Sequence, residues 1–118
     1  MNERNDTDGY GFGTRCVHTG QSRDPTTGAA GVPIHQTSSY EFEDADTAAD
    51  LYSLDQLDHV YSRISNPTVN VLEERLAALH GAAGAVATAS GMAALDACTT
   101  LLATAGDNVV TASSIYGG

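Results

Sequence analysis

At 118 residues the chain is long enough for one small domain, and its 42% apolar content is that of a folded protein rather than a disordered one. The 15 acidic side chains face only 5 basic ones, every one of them Arg, for a net charge of −10. That balance excludes the basic footprint that nucleic acid requires, and an acidic membrane surface would repel it. Two readings of the acidity stand: a well-solvated surface, or adaptation to high salt, since Asp is heavily used and Lys is absent.

Residues 1–14 read as a flexible lead rich in Gly, Asn and Asp. Met1 to Asp8 has neither the basic start nor the apolar run of a secretory signal, and no apolar stretch reaches the ~18 residues of a bilayer span. A cytoplasmic protein is therefore expected. Gly9, Gly11 and Gly13 follow no strand and miss the spacing of a dinucleotide loop, so they read as a pliable tail. From residue 15 to 42 turn signals (Asp24-Pro25, Thr27-Gly28, Val32-Pro33) alternate with short apolar pieces, the pattern of an extended arm lying on something else.

Residues 41–58 carry many acids among Ala, Leu and Tyr. Leu51, Leu54 and Leu57 recur every third residue, which predicts a helix with one apolar stripe. The acids lack the glycine and the spacing of a calcium loop, so they read as a solvated face. Asn66 then predicts a helix N-cap with Pro67 at the first helical position, where its missing N–H costs nothing. Val69, Leu72, Leu76 and Leu79 form one apolar face, Glu73, Glu74 and Arg75 lie opposite, and His80-Gly81 ends the run. Gly84 to Thr88 predicts a short buried strand, about Met92 to Ala103 a second helix stopped by Gly106, and Asp107 to Thr111 a second strand. The order helix, strand, helix, strand gives an α/β fold with a mostly parallel sheet. Cys16 and Cys98 have no metal or disulfide spacing and read as buried free thiols.

Three short motifs can carry chemistry. Ser90-Gly91-Met92 stands where a strand feeds a helix, so free N–H groups and the helix dipole favour an anion there; the plainer reading is a serine N-cap in a tight turn. Tyr61 and Arg63, two apart on an expected extended segment, can point the same way, and an Arg fork with a Tyr hydroxyl suits phosphate; the plainer reading is a surface Arg beside a half-buried Tyr. Tyr116 follows an expected strand end, where its ring could stack on a flat aromatic cofactor, or it is an ordinary loop tyrosine. His18, His35, His59 and His80 show no metal-ligand spacing.

The run Tyr61-Ser-Arg-Ile-Ser-Asn-Pro-Thr68 followed by Leu72-Glu-Glu-Arg-Leu-Ala-Ala-Leu79 closely resembles the Cys/Met-metabolism family of enzymes that use pyridoxal phosphate (PLP). Ala89-Ser-Gly-Met-Ala-Ala94, Gly106-Asp-Asn-Val-Val110 and Tyr116-Gly-Gly118 continue the likeness in register. Upstream, Val17-His-Thr-Gly20 and Pro33-Ile-His-Gln-Thr-Ser-Ser-Tyr40 match as well, so it covers residues 15–118. Phe42 to Ala49 and the Leu51-Tyr-Ser-Leu stretch look most like the sulfhydrylase branch acting on O-acetylhomoserine, whereas Met92 is common in the γ-lyases.

The resemblance implies an aspartate-aminotransferase-like (fold type I) transferase fold. Residues 1–60 would form an arm contacting the neighbouring subunit, and residues 61–118 the first part of the PLP-binding domain. It implies that the Gly91 and Met92 N–H groups and Ser90 hold the PLP phosphate and that Tyr116 stacks on the ring. Tyr61 and Arg63 would reach the phosphate of a neighbouring subunit's PLP. The family's Schiff-base lysine is expected beyond residue 118, because this chain has no lysine, and the 118 residues alone are expected to be inactive. The implied reaction of the whole protein is γ-replacement, O-acetylhomoserine plus sulfide or a thiol giving homocysteine or methionine plus acetate, in a homo-oligomer, dimeric at the shared site and tetrameric overall. A γ-synthase or γ-lyase of the same family, or a non-catalytic oligomerisation piece, are the alternatives.

Overall fold

The computed structural model describes residues 9–116, so the expected lead over Met1 to Asp8 and the closing Gly117-Gly118 pair lie outside the described residues. Among the described residues four helices form: α1 (Phe12–His18), α2 (Ala45–Ser53), α3 (Pro67–His80) and α4 (Gly91–Leu102). The chain divides after Ala85 into two compact units, described in turn. None of the described helices is long and apolar enough to cross a membrane.

In the first unit α3 is the scaffold, and its ends are those its sequence predicts. Asn66 (φ −145°) accepts from the Thr68 N–H through its side chain, and Pro67 follows at the first helical position. At the other end Gly81 turns left-handed at φ 62°, and the Ala82 N–H reaches back to Ala77 O at 2.8 Å, closing the last turn. The packed side of α3 differs from expectation. Ala77 is buried, whereas Val69, Leu72 and Leu76 remain 39%, 50% and 42% exposed. The arm and α1 lie instead along the side that carries Val71, Arg75 and Ala78, where small side chains and an arginine fork admit a neighbouring backbone.

α1 corrects the expectation of a flexible lead running into an extended arm. A helix of 7 residues whose Gly11 N-cap offers no side-chain bond is marginal alone. Tertiary contact fixes it: Arg15 Nη1 donates to Ala78 O at 3.2 Å. After α1 the chain does become an irregular arm, and it lies on α3 of its own chain. Gly20 passes so close that a Cβ there would stand 2.9 Å from both Glu74 Cβ and Val71 O, and its φ is +74°. Arg75 Nε donates to Thr19 O at 2.9 Å, and its Nη2 to Gln21 Oε1 at 3.1 Å. The Gln21 amide in turn donates to Ala30 O across the next turn. That turn is closed by Asp24, whose carboxylate accepts from the N–H groups of Thr26 and Thr27. Farther along, Thr68 Oγ1 donates to Pro33 O and accepts from the His35 N–H, both at 2.9 Å, fastening the arm to the first turn of α3.

The helix expected over residues 41–58 is shorter than its leucine stripe. Asp44 caps α2 by accepting from the Thr47 N–H at 2.7 Å, and the helix ends at Ser53, where Leu54 turns left-handed at φ 64°. Asp50 O then collects the Asp55 and Gln56 N–H groups at 2.9 and 3.2 Å. Only Leu51 of the stripe is buried; Leu54 and Leu57 are 74% and 88% exposed.

In the second unit α4 forms as predicted behind its Ser90 cap, but the two expected strands do not. Gly84 to Thr88 and Asp107 to Thr111 carry no strand among the described residues, and Val86, Val109 and Val110 are 84%, 62% and 96% exposed. A strand exists only as part of a hydrogen-bonded ladder. A short apolar run announces burial without naming the partner, and two strands flanking a crossover helix need not be neighbours in the sheet. Gly106 is also not what ends α4: the helix stops at Leu102, and Asp107 closes the following turn by accepting from the Thr104 N–H at 2.8 Å. Cys98, expected to be buried, is exposed on α4, and Cys16 is half-buried.

Candidate functional site

Tyr61 and Arg63 stand on a turn rather than on the expected extended segment. Tyr61 makes an isolated antiparallel bridge with Ser39. The Ile64 and Ser65 N–H groups then fold back onto Tyr61 O at 2.8 and 3.1 Å. This places Arg63 Cζ 5.4 Å from the centroid of the Tyr61 ring, within cation–π range. The two side chains do come together. Arg63 is exposed, and its guanidinium meets no acceptor among the described residues, so its fork of donors remains open to an anion.

The turn is held from behind by Asn66, which the sequence marks only as a cap. Asn66 is 7% exposed, and its Nδ2 lies 3.0 Å from His35 O, 3.2 Å from the Tyr40 hydroxyl and 3.0 Å from Ser62 Oγ. Its Oδ1 accepts from the Thr68 N–H at 2.9 Å. Ser62, between Tyr61 and Arg63, donates its N–H to Ser38 O at 2.9 Å and its hydroxyl to Thr37 O. Alongside, the His59 and Tyr40 rings lie 5.4 Å apart, and His59 Nδ1 is 2.9 Å from Ser65 Oγ. A buried Asn so fully engaged is costly to misplace. The signal that could have found it is the polar run His35 to Tyr40, too rich in hydroxyls for a segment that must pack.

Ser90, Gly91 and Met92 gather at the N-terminus of α4. Ser90 Oγ accepts from the Ala93 N–H at 3.1 Å, the plain capping role. That bond uses an acceptor position and leaves the hydroxyl proton free to donate outward. The Thr88 hydroxyl donates to Ser90 O at 2.9 Å and steadies the approach to the helix. The Gly91 and Met92 N–H groups meet no acceptor among the described residues, and a Cβ on Gly91 would find no atom within 4 Å. Unclaimed donors, an open backbone face and the positive end of the helix suit a phosphate monoester. The arrangement fits the phosphate of PLP; the amine that family members bond to PLP is absent, because the chain holds no lysine. Tyr116, 84% exposed, follows a turn and not a strand end, and its ring has no aromatic neighbour among the described residues.

A cleft of about 340 Å³ between the arm and α3 is lined by Asp24, His35, His59 and Glu74, among others, and includes none of the six candidate residues. Three carboxyls are held below their ordinary range by donated hydrogen bonds: Asp24 by the Thr27 N–H, Asp44 by the Thr47 N–H and Asp107 by the Thr104 N–H. Each of these carboxyls closes a turn or caps a helix.

Residues 13–118 match the family described as Cys/Met metabolism PLP-dependent enzyme. The chain is 50% identical over 107 residues to O-acetyl-L-homoserine sulfhydrylase 1 of Thermus thermophilus, covering 91% of this chain and 25% of that protein. To the homocysteine synthase of Schizosaccharomyces pombe it is 47% identical over 107 residues, again 91% of this chain and 25% of the relative. Among solved structures it aligns with a protein designated O-acetylhomoserine (thiol)-lyase from Campylobacter jejuni at TM-score 0.82 and 42% identity, over 92% of this chain and 26% of that one. That structure carries N'-pyridoxyl-lysine-5'-monophosphate at position 205. The chain spans about a quarter of the length of the curated relatives it matches. A match over residues 13–118, with capped α3 and α4 in the register of the shared motifs, means that the chain belongs to the Cys/Met metabolism family of PLP-dependent enzymes.

Proposed function

We propose that the full-length protein is an O-acetylhomoserine sulfhydrylase, converting O-acetylhomoserine and sulfide, or a thiol, into homocysteine, or methionine, and acetate. The observation that carries the reading is the first turn of α4, where donors stand unclaimed by the described residues beside an open glycine in a chain of this family. The Gly91 and Met92 N–H groups and the Ser90 hydroxyl hold the cofactor phosphate, and Tyr116 covers the pyridine ring. Arg63 and Tyr61 reach across a subunit boundary to the same phosphate in the neighbouring site. Bound PLP supplies an electron sink for the charge that develops on the substrate carbons. The chain's residues orient that sink and exclude competing anions from the phosphate position.

Residues 1–60 serve as the arm that contacts the neighbouring subunit, and residues 61–118 open the PLP-binding domain of a fold type I enzyme. The working assembly is a homotetramer of site-sharing dimers in the cytoplasm, and the Lys-free acidic composition suits a saline one. Support for the substrate comes from the names of relatives 50% and 47% identical to the chain. Supplying the purified full-length protein with O-acetylhomoserine and sulfide should give homocysteine and acetate in equal amounts. Release of a 2-keto acid and ammonia from methionine or cystathionine, with no homocysteine made from O-acetylhomoserine, would instead identify a γ-lyase.

A further inference from the structure

We infer that Asn66 is a positioning residue for the cofactor phosphate, acting through Ser62 to hold Tyr61 and Arg63 in place. The inference deepens the proposed function and rests on its assignment of Tyr61 and Arg63 to a PLP phosphate. Tyr61 and Arg63 flank Ser62 on a turn whose backbone closes on Tyr61 O, while the Arg63 and Ile64 side chains are exposed and give it no packing. Two of the bonds that fix this turn run from Ser62, through its N–H to Ser38 O and its hydroxyl to Thr37 O. A hydroxyl that donates in one direction is held in that rotamer by donors aimed at its lone pairs. Asn66 Nδ2 at 3.0 Å is the nearer of two, the other being the Tyr40 hydroxyl at 3.4 Å, which Asn66 also contacts.

The same amide reaches His35 O and the Tyr40 hydroxyl, 31 and 26 residues away in sequence. Asn66 therefore ties the arm, the turn and the first turn of α3 into one rigid corner. An amide has two N–H groups, so three acceptors at 3.0–3.2 Å share them, and loss of one contact redistributes the others. The side chain thus divides its work: Oδ1 caps α3, and Nδ2 sets the direction in which Tyr61 and Arg63 leave the turn. Arginine recognises phosphate through a planar fork, which depends more on direction than a point charge does. A small rotation of the turn would therefore weaken phosphate recognition while leaving the fold intact.

The two halves of Asn66 can be separated experimentally. Asn66→Ser keeps a good helix cap but removes every Nδ2 bond. Ser62→Ala leaves Asn66 and its cap in place and removes the Asn66 link to the turn together with the Ser62 hydroxyl's own bond to Thr37 O. In the full-length protein, dissociation constants of PLP and of pyridoxal, which lacks the phosphate, are measured by equilibrium dialysis. The expected result is PLP binding about fivefold weaker for each variant, the scale of one hydrogen bond, with pyridoxal binding unchanged. In an Arg63→Ala background, Asn66→Ser should add less than about twofold, because the side chain it positions is gone.

A purely structural Asn66 would weaken PLP and pyridoxal alike and would add its full effect to Arg63→Ala, and either result overturns the inference. If Arg63→Ala discriminates PLP from pyridoxal and neither Asn66→Ser nor Ser62→Ala does, the positioning role alone fails. If Arg63→Ala itself leaves the preference for PLP unchanged, the phosphate assignment fails and the positioning role falls with it. Should Asn66→Ser not fold, Asn66→Asp, which keeps the cap and removes the amide donors, decides by the same comparison.

Discussion

Arg75 Nε donates to Thr19 O at 2.9 Å, a bond that closes across 56 residues of chain and fastens the arm to α3. Its second contact, Nη2 to Gln21 Oε1, uses the same planar fork at 3.1 Å. Arg75→Met keeps much of the aliphatic bulk and removes both charged donors. The full-length protein should lose about 1.5–3 kcal/mol of stability in urea unfolding, the range for hydrogen bonds to charged groups. Arg75→Lys should recover less than half of that loss, because an ammonium cannot present the fork. A lysine variant as stable as the parent would show that charge alone matters.

Gly20 and Gly81 allow two causes of glycine preference to be separated. Both have positive φ, +74° and +62°, but only Gly20 has backbone and side-chain atoms 2.9 Å from where a Cβ would stand; Gly81 has nothing within 4 Å. Gly81→Ala should therefore cost about 1 kcal/mol, the left-handed penalty alone. Gly20→Ala should add overpacking of about 1–3 kcal/mol on top, as Val71 O cannot move without disturbing α3. Thermal unfolding of the pair measures the difference, and equal losses would mean that the arm yields at Gly20.

What was legible in the sequence is what depends on chemistry within a few residues. Asn66, Pro67 and Gly81 delimit α3, and Ser90 opens α4, because caps and left-handed closures are made by side chains next to the groups they satisfy. What was not legible depends on distant partners. α1 rests on a bond from Arg15 to Ala78, 63 residues away, so its glycines misleadingly suggest a tail. The second half of Asn66 was hidden for the same reason: its amide partners lie across the arm. Val86 and Val110 announce buried strands, yet no ladder forms among the described residues, because apolar content specifies burial and not a pairing partner. At the candidate site the residue types were readable and their posture was not: Arg63 reaches the Tyr61 ring through a turn, not along a strand.

Acid should loosen three turns together. The carboxyls of Asp24, Asp44 and Asp107 are lowered chiefly by N–H donors from Thr27, Thr47 and Thr104. A folded value below the unfolded one means that the contribution is fully present above the ordinary carboxyl value of about 3.9. It is lost as pH falls through the folded values below that. Stability should therefore be insensitive to these groups near neutrality and fall below about pH 4. Asp44→Asn keeps a neutral cap on α2, so its stability relative to the parent should improve as the solution is acidified. A parallel pH profile for the two proteins would remove Asp44 from this account.

Arg63→Ala tests the shared site. If Arg63 contacts the neighbouring subunit's cofactor, the variant should hold PLP more weakly by about 1.5–3 kcal/mol in the full-length protein. Subunits carrying Arg63→Ala can then be mixed with subunits whose cofactor-bonding lysine is replaced. A mixed dimer assembles one site with a lysine from the first subunit and Arg63 from the second, so activity should return on mixing. Failure of every mixture to recover activity would place Arg63 outside the partner's site.

The 118 residues by themselves should be catalytically inert. PLP enzymes of this family act on a cofactor bonded to an amine, and the chain has no lysine to provide one. The phosphate donors at α4 stand on a helix whose Leu95, Leu101 and Leu102 are 55%, 84% and 84% exposed, so packing does not fix their direction. A donor set without a rigid support binds loosely even when its chemistry is right. The isolated chain should therefore bind inorganic phosphate or PLP only weakly, and incubation with PLP should give no stable Schiff-base absorbance beyond slow reaction at the terminal amine. Homocysteine formed from O-acetylhomoserine and sulfide faster than with free PLP alone would overturn this expectation, because it would require a positioned amine that these residues do not contain.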